Sequence, residues 1–371
     1  MIVNSDYAQY LKTDGADRLY IFFSARNRKK TTFDKYPVET DQVPASFIYL
    51  NCTDNAWYHD GVAGLGDLEQ TLAQLQELIQ DSGASQVITV GSSMGGFGAL
   101  YYGLRLKVDT VICFGSETVM NIYGGHSHQN LKDKSLIELA NCAHTDANIF
   151  YINGDLSPVD IFCAEYAMSI IGGQQYVVKH ADHGVARFLK NQNVLPQVIE
   201  ACTQNERSML GQLLQSAGSG QATWFAHNRL SEFNANTISD FAIRHHADHQ
   251  AGLFEIANFM VSRKAFLAAK QIADFVEQKY GASYEVRLIQ GRCALKLRRL
   301  VESEHALLAA AKLKPDEHEV NFLLSTLYHR QNKLNQCIRY CDAAIFYAST
   351  SPNFKVSKDA YVRFRDSLNV S

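Results

Sequence analysis

The first two hundred residues alternate short apolar runs with longer helical stretches, and this alternation restricts the fold more than any other feature. Each run is rich in Ile, Val, Phe and Tyr and ends near Gly, Ser, Asn or Asp, which is typical of a strand buried on both faces. A helical pattern such as Leu68–Gln80 places its leucines on one face. Strands that alternate with helices predict a mostly parallel sheet covered on both sides. The runs are Arg18–Phe23, Ser46–Leu50, Gln86–Val90, Thr110–Phe114, Asn148–Ile152 and Gln175–Lys179.

The C-terminal part has a different period. Blocks that begin at Gln250, Tyr284 and His318 are each 34 residues long, and each has the pattern of a helix pair. This period resembles tetratricopeptide repeats, in which small residues let paired helices approach closely; a plain helical bundle is the alternative. The sequence therefore predicts a domain at 1–204, connecting helices at 205–249 and an all-α repeat domain at 250–371. Small or apolar residues recur at matching offsets: Ala257, Gly291 and Ser325; Ala269, Ser303 and Cys337; Val276, Ala310 and Ala344.

One glycine-rich segment has a pattern that is typical of a nucleophile. The strand Gln86–Val90 leads into Gly91-Ser92-Ser93-Met94-Gly95, and a helical pattern follows from Gly96. This is G-x-S-x-G between a strand and a helix, where a tight turn projects the serine hydroxyl at the end of the sheet. Ser93 is the predicted nucleophile and Met94 offers an oxyanion-binding amide. The alternatives are an ordinary glycine-rich turn, or a role for the neighbouring Ser92.

Candidates for a base and an orienting acid follow two later strands. A serine hydroxyl needs a base to take its proton, and the base needs a carboxylate to hold it in orientation. His183 lies in the loop after Gln175–Lys179, and His180 is the weaker alternative. After Asn148–Ile152 the acids are Asp155, on the turn leaving the strand, and Asp160, which has the position of an N-cap. We favour Asp155 and keep Asp160 as the alternative.

Taken together, these motifs resemble the α/β-hydrolase superfamily, in which the chain order is Ser, acid, His. Many of its members place the acid three residues after a glycine, and that position is Ser157 in this chain. Three segments further resemble small bacterial hydrolases associated with surface-polysaccharide or glycoprotein biosynthesis: NAWYHDG, GSSMGGFGALYYG, and GDLSPVDIF with HADHGVARFL. The resemblance implies a small α/β-hydrolase domain that acts as an esterase, deacylase or acyltransferase on glycans.

The same resemblance suggests where the substrate binds. It implies that a second oxyanion amide comes from the loop after the first predicted strand, at Phe23, Ser24 or Ala25. Asn55 and Trp57 belong to a loop at the same edge of the sheet, where an amide and an aromatic ring suit a sugar or an acyl chain. The alternative for this loop is that its aromatic residues anchor it by packing.

Composition and charge exclude several other classes of function. A net charge of −3 without a basic stripe argues against nucleic acid as a partner. We find no signal peptide or membrane-length apolar run, which favours a cytoplasmic protein. The eight cysteines lack CxxC spacing, so free thiols are expected rather than a disulfide framework or a zinc site. His126 and His128 are expected to be loop histidines, and no metal or organic cofactor is required.

Three functional hypotheses follow from the sequence. The leading one is hydrolysis of a carboxylic ester, on a small molecule or a glycan, by a serine triad without a cofactor. The second is acyl transfer by the same residues. The third is a hydrolase-like scaffold without turnover that works through its repeats. The repeats themselves are expected to bind a protein partner or to pair two chains.

Overall fold

The structure is a computed structural model that describes residues 5–38, 44–52, 56–131, 146–220, 224–225, 229–350 and 355–368. The chain divides into two compact units, Met1–Phe233 and Asn234–Ser371. The first is an α/β unit with a mostly parallel sheet, and the second is all-α. Each unit has its own hydrophobic core.

Eight strands of the described residues form one sheet in the order β1-β3-β2-β4-β5-β6-β7-β8. The strands from β2 to β7 are parallel to their neighbours, whereas β1 and β8 pair antiparallel at the two edges. The parallel strands therefore bring their carboxyl ends to one edge of the sheet. The strands are β1 (Ala8–Leu11), β2 (Arg18–Phe23), β3 (Ala45–Leu50), β4 (Gln86–Ser92), β5 (Thr110–Phe114), β6 (Asn148–Gly154), β7 (Gln174–Val178) and β8 (Ser216–Gly220).

Helices cover both faces of this sheet. In β2, Leu19 and Ile21 pack into one core with α1, α2 and α4, while Tyr20 and Phe22 pack into the other with α5, α6 and α7. Because side chains alternate between the faces of a strand, burial on both sides requires the continuous apolar runs seen in the sequence. The helices are α1 (Leu68–Ser82), α2 (Met94–Leu106), α3 (His126–Asn130), α4 (Pro158–Ile171), α5 (Val185–Asn191), α6 (Leu195–Thr203) and α7 (Arg207–Leu214).

The predicted architecture is confirmed, with two additions at the sheet edges. All six predicted strands are present as β2 to β7, and β1 and β8 were not predicted. The sequence of β8, SAGSG, has the small residues of a loop, yet it pairs with β7 through the backbone. The first unit consequently extends to Phe233, beyond the predicted boundary at residue 204.

The second unit is a helical repeat. Its helix pairs α9/α10, α11/α12 and α13/α14 begin at Gln250, Tyr284 and His318, as the 34-residue period predicts. The helix α8 precedes the pairs and α15 follows them. The helices are α8 (Ala235–His246), α9 (Gln250–Ser262), α10 (Phe266–Tyr280), α11 (Tyr284–Lys296), α12 (Leu300–Leu313), α13 (His318–Arg330), α14 (Leu334–Thr350) and α15 (Lys355–Ser367).

Small buried residues set the close contacts within these pairs. A Cβ atom added to Gly291 would lie 2.5 Å from the side chain of Leu307 on the facing helix. The Ser303 hydroxyl donates to the Gly291 carbonyl at 2.9 Å, and the Ser325 hydroxyl donates to the Cys337 carbonyl at 2.8 Å. These contacts explain why small side chains recur at the same offsets, since a larger one would force the paired helices apart.

Two further observations bear on the expectations from composition. Across the described residues, no helix is both long enough and apolar enough to cross a lipid bilayer. The seven cysteines in this part of the chain are buried and form no disulfide bond.

Candidate active site

The candidate nucleophile lies on a sharp turn between β4 and α2. The strand ends at Ser92 and the helix begins at Met94, so Ser93 alone connects them, with φ 57° and ψ −123°. Positive φ is unfavourable for a residue with a Cβ, and such strain is concentrated at functional sites. The turn is held by a hydrogen bond from the Ser93 amide to the Phe114 carbonyl at 2.9 Å. The conformation is that of the nucleophile turn expected from G-x-S-x-G.

Two glycines of the motif are required by close packing of the backbone. A Cβ atom on Gly91 would lie 2.0 Å from the Gly95 carbonyl oxygen, and one on Gly95 would lie 2.1 Å from the Phe23 carbonyl oxygen. These distances are far below van der Waals contact, and the clashing atoms belong to the backbone. The first turn of α2 can therefore approach β4 and β2 only where no side chain is present.

The structure brings the predicted base to the predicted nucleophile. His183 follows β7, and its Nε2 lies 2.8 Å from the Oγ of Ser93. The other ring nitrogen, Nδ1, lies 2.7 Å from Oδ2 of Asp160. With the proton on Nδ1, the imidazole donates to the carboxylate and accepts from the serine hydroxyl. The three side chains thus form a continuous hydrogen-bonded chain from acid to hydroxyl.

Asp160 is fully buried and is oriented from two sides. The hydroxyl of Ser157 donates to the same Oδ2 atom at 2.5 Å. The sequence predicts that Asp160 is the N-cap of a helix. In the structure α4 begins at Pro158, so Asp160 lies in the first turn of the helix. Carboxylates are stabilised near a helix N-terminus, where backbone N–H groups lack intrahelical acceptors. These interactions offset part of the cost of burying the charge.

The preference for Asp155 over Asp160 does not agree with this arrangement. The Oδ1 atom of Asp155 accepts a hydrogen bond from the backbone amide of His180 at 2.7 Å. The Asp155 amide in turn donates to the Val178 carbonyl at 3.0 Å. Asp155 therefore ties the end of β6 to the loop that carries His183. Asp155 thus braces the loop, while Asp160 contacts the histidine.

The candidate oxyanion amides differ in their hydrogen bonding. The amide of Ser24 donates to the Leu50 carbonyl at 2.9 Å, and the amide of Ala25 donates to Oδ2 of Asp34 at 2.7 Å. Phe23 is the last residue of β2, and its ring is buried against Tyr58. Met94 is the first residue of α2, where a backbone N–H has no helical acceptor. Of the predicted donors, Met94 has the backbone position best suited to an oxyanion.

The loop predicted to bind substrate packs instead into the core where it is described. Trp57 is 1% exposed and lies in the hydrophobic core beneath the sheet. The neighbouring Tyr58 is also buried, and its hydroxyl donates to the Ser24 carbonyl at 2.8 Å. These contacts correspond to the alternative, an aromatic anchor for the loop. Asn55 lies outside the described residues.

Sequence reasoning missed the contact between His126 and the base, His183. The carboxylate of Glu117 accepts hydrogen bonds from the backbone amides of His126 and Ser127. These are the first two residues of the short helix α3. The His126 ring then packs edge-on against His183, with centroids 5.0 Å apart. His128 lies with Nδ1 3.2 Å from the Asn121 carbonyl. The sequence around Glu117 does not predict these contacts, because they depend on how the loop between Glu117 and His126 folds.

No group of three or more metal-ligating side chains is placed to hold a metal ion within the described ranges. The two histidines near the site have the contacts given above. The hydrogen bonds between Asp160 and His183 and between His183 and Ser93 are those by which a base, oriented by a carboxylate, can activate a hydroxyl.

Comparison with known proteins gives only distant similarity. No protein-family model and no curated protein sequence matches the chain. An α/β serine hydrolase homologue from Coxiella burnetii is 12% identical with a TM-score of 0.33, over 53% of this chain and 97% of that one. A protein from Thermoplasma acidophilum described as a CIB-like hydrolase is 13% identical with a TM-score of 0.29, over 56% and 89%. The Yersinia enterocolitica type III secretion translocator chaperone SycD is 13% identical with a TM-score of 0.32, over 33% and 86%.

Proposed function

We propose that the α/β unit hydrolyses carboxylic esters with Ser93 as nucleophile, His183 as general base and acid, and Asp160 as the orienting carboxylate. The observation that carries the proposal is the chain of two short hydrogen bonds, 2.8 Å from Oγ to Nε2 and 2.7 Å from Nδ1 to Oδ2. A base must lie within about 3 Å of the proton donor it serves. The strained turn at Ser93 supports the same assignment.

The first half of the reaction forms an acyl-enzyme. Ser93 Oγ bonds to the ester carbonyl carbon while its proton moves to Nε2 of His183, and the carbonyl oxygen becomes an oxyanion near the Met94 amide. The bond from carbon to the alcohol oxygen then breaks, and His183 gives its proton to the departing alcohol. The carboxylate of Asp160 stabilises the imidazolium between these two transfers.

The second half returns the free enzyme. Water gives a proton to His183 and attacks the acyl carbon, and the bond to Ser93 Oγ breaks as that oxygen recovers the proton. An alcohol in place of water would make the same residues an acyltransferase. Product analysis with ¹⁸O-labelled water and an added alcohol distinguishes the two, because hydrolysis places the label in the acid product.

The test compares adjacent serines. Ser93→Ala should abolish labelling by a fluorophosphonate probe and lower the turnover of 4-nitrophenyl esters by at least about a thousandfold. Ser92→Ala is the matched control, since it removes a hydroxyl from the same turn but not from the hydrogen-bonded chain. Equal labelling of wild type and Ser93→Ala would remove Ser93 from the mechanism.

Ser157 stands where many α/β-hydrolases place the acid, and a missing acid would favour the scaffold hypothesis. Asp160 supplies a carboxylate to His183 in the structure, which favours the enzymatic hypothesis over the scaffold. A glycan ester as substrate, and a protein partner or self-association for the helical repeats, stay predictions.

A further inference from the structure

An open groove lies beside the nucleophile turn, and four of its lining side chains are cationic. It has a volume of about 270 Å³ and is lined by residues that include Arg28, Lys35, Arg187 and Lys190, with Asp34 and Ser92. Ser92 directly precedes the nucleophile. Arg187 and Lys190 lie on α5, which begins two residues after His183. The groove is thus bounded by the segments that carry the nucleophile and the base.

Neighbouring acids offset the cations of the groove only in part. A Cβ atom on Gly184 would lie 3.0 Å from both Oδ1 of Asp182 and Nη2 of Arg187, so this acid lies near one of them. Arg28 pairs with Asp34, with Nη2 2.5 Å from Oδ1. Among the described residues, no carboxylate oxygen lies within 4.0 Å of the cationic nitrogens of Lys35, Arg187 or Lys190. This local excess of positive charge stands out in a chain whose net charge is −3. Positive charges gathered in one concave surface raise the local concentration of anions.

The groove already accommodates one carboxylate. Asp34 accepts from the Ala25 amide at 2.7 Å through Oδ2 and pairs with Arg28 through Oδ1. The Asp34 amide is itself held by the Ser24 hydroxyl at 3.0 Å. A planar anion is therefore fixed by a backbone donor and a guanidinium at the edge of the groove. Lys35 lies with Nζ 4.9 Å from the centre of the Tyr49 ring, and Arg187 and Lys190 line the rest of the groove. That space suits a second anion, supplied from outside the chain.

We propose that this groove binds an anionic group, a carboxylate or sulfonate-like oxyanion, carried by the same molecule whose ester reacts at Ser93. The inference rests on the proposed function and narrows its substrate class to negatively charged esters. Arg187 and Lys190 determine this specificity by attracting and orienting the anion, and they take no part in the proton transfers.

The experiment uses two pairs of esters that differ in charge. Mono-4-nitrophenyl glutarate carries its anion on the acyl side, and 4-nitrophenyl valerate is its neutral partner. 4-Acetoxybenzenesulfonate carries its anion on the alcohol side, and 4-sulfamoylphenyl acetate is its neutral partner. At least one anionic ester should show kcat/KM about tenfold above its neutral partner at low salt, with the preference declining as ionic strength rises.

The variants remove charge near or far from the groove. Arg187→Gln with Lys190→Gln should reduce kcat/KM for the preferred anionic ester about tenfold and change that of the neutral ester less than about twofold. The matched control is Lys12→Gln with Lys107→Gln. Lys12 follows β1 and lies near the amino ends of the parallel strands, away from the nucleophile turn. Lys107 follows α2 about 20 Å from the nucleophile. The control pair should change neither value.

The outcomes separate this inference from the proposed function. Two results would refute the anion-binding groove but not the proposed ester hydrolysis. One is Ser93-dependent turnover without any preference for an anionic ester, and the other is a preference that survives loss of Arg187 and Lys190. If no ester is turned over, saturation-transfer NMR on the Ser93→Ala protein still tests the groove. Selective binding of mono-4-nitrophenyl glutarate over the valerate, lost with Arg187 and Lys190, supports it; equal signals from both esters overturn it.

Discussion

Asp160→Asn is the substitution that most directly tests the proposed site. The buried carboxylate receives hydrogen bonds from His183 and Ser157 at Oδ2, while Oδ1 has no partner among the described residues. An asparagine can turn its amide nitrogen toward Nδ1, which forces the wrong imidazole tautomer. It can instead turn its oxygen there, which leaves a buried NH₂ without an acceptor, at a cost of about 1–3 kcal/mol. Both orientations remove the negative charge that stabilises the imidazolium.

The size of the effect follows from the geometry. With Nδ1 and Oδ2 only 2.7 Å apart, the centres of the two charges lie about 4 Å apart. At an effective dielectric constant of about 20, two unit charges at that separation interact by about 4 kcal/mol. Loss of this interaction in the transition state corresponds to a fall in kcat of about a thousandfold.

The assay measures kcat with a 4-nitrophenyl ester and compares Asp160→Asn with Asp155→Asn. The second variant is matched in chemistry and lies five residues earlier in the chain, and its side-chain amide oxygen can still accept from the backbone amide of His180. We expect Asp155→Asn to retain kcat within about tenfold of wild type, because it acts only on loop geometry. Circular dichroism checks that both proteins are folded. A larger loss in Asp155→Asn than in Asp160→Asn would refute the assignment of the acid.

Other perturbations test the packing within each of the two units. Burial raises the pKa of Glu165 to about 7, so its contribution to stability is present below about pH 4.5 and is lost as pH rises to about 7. The stability of Glu165→Gln relative to wild type should therefore rise by about 3 kcal/mol between pH 4 and 8 in urea unfolding; an unchanged difference would contradict the shift. Gly211 has open space around its Cβ position within α7, so Gly211→Ala should stabilise the first unit by about 1 kcal/mol. Gly291→Ala should destabilise the repeats by about 1–3 kcal/mol, because the added methyl group would clash with Leu307 on the facing helix. Thermal unfolding measures both variants, and equal effects of Gly211→Ala and Gly291→Ala would contradict the expected difference.

The strands were predictable where burial on both faces imposes a composition. Every residue of β5 is buried, which accounts for the mostly apolar side chains of its sequence TVICF. The edge strand β8 carries no such constraint, and its SAGSG sequence resembles a loop. The repeat was predictable for a similar reason, since helix pairs of equal length require small residues at equal spacing.

The site was predictable only as far as local chemistry determines it. Ser93 and His183 could be named as candidates because a strand end fixes the position of the residues that follow it. The choice between Asp155 and Asp160 depends on where α4 begins, and the helix starts at Pro158 rather than Ile161. Proline is favoured in the first helical position, so Pro158 was the available signal. The core position of Trp57 depends on long-range packing that no local pattern reveals.

The position of Asp160 in α4 explains why this chain can have a serine at position 157, where an acid is expected. Ser157 occupies the place expected for an acid, and it donates its hydroxyl to the carboxylate of Asp160. The acid reaches the imidazole from the first turn of α4, where the helix N-terminus favours its charge. A carboxylate that is 0% exposed is costly unless it is paired, and its partners here are a hydroxyl and the ring of His183. The proposed hydrolase would use this buried charge at the moment the imidazole becomes positive.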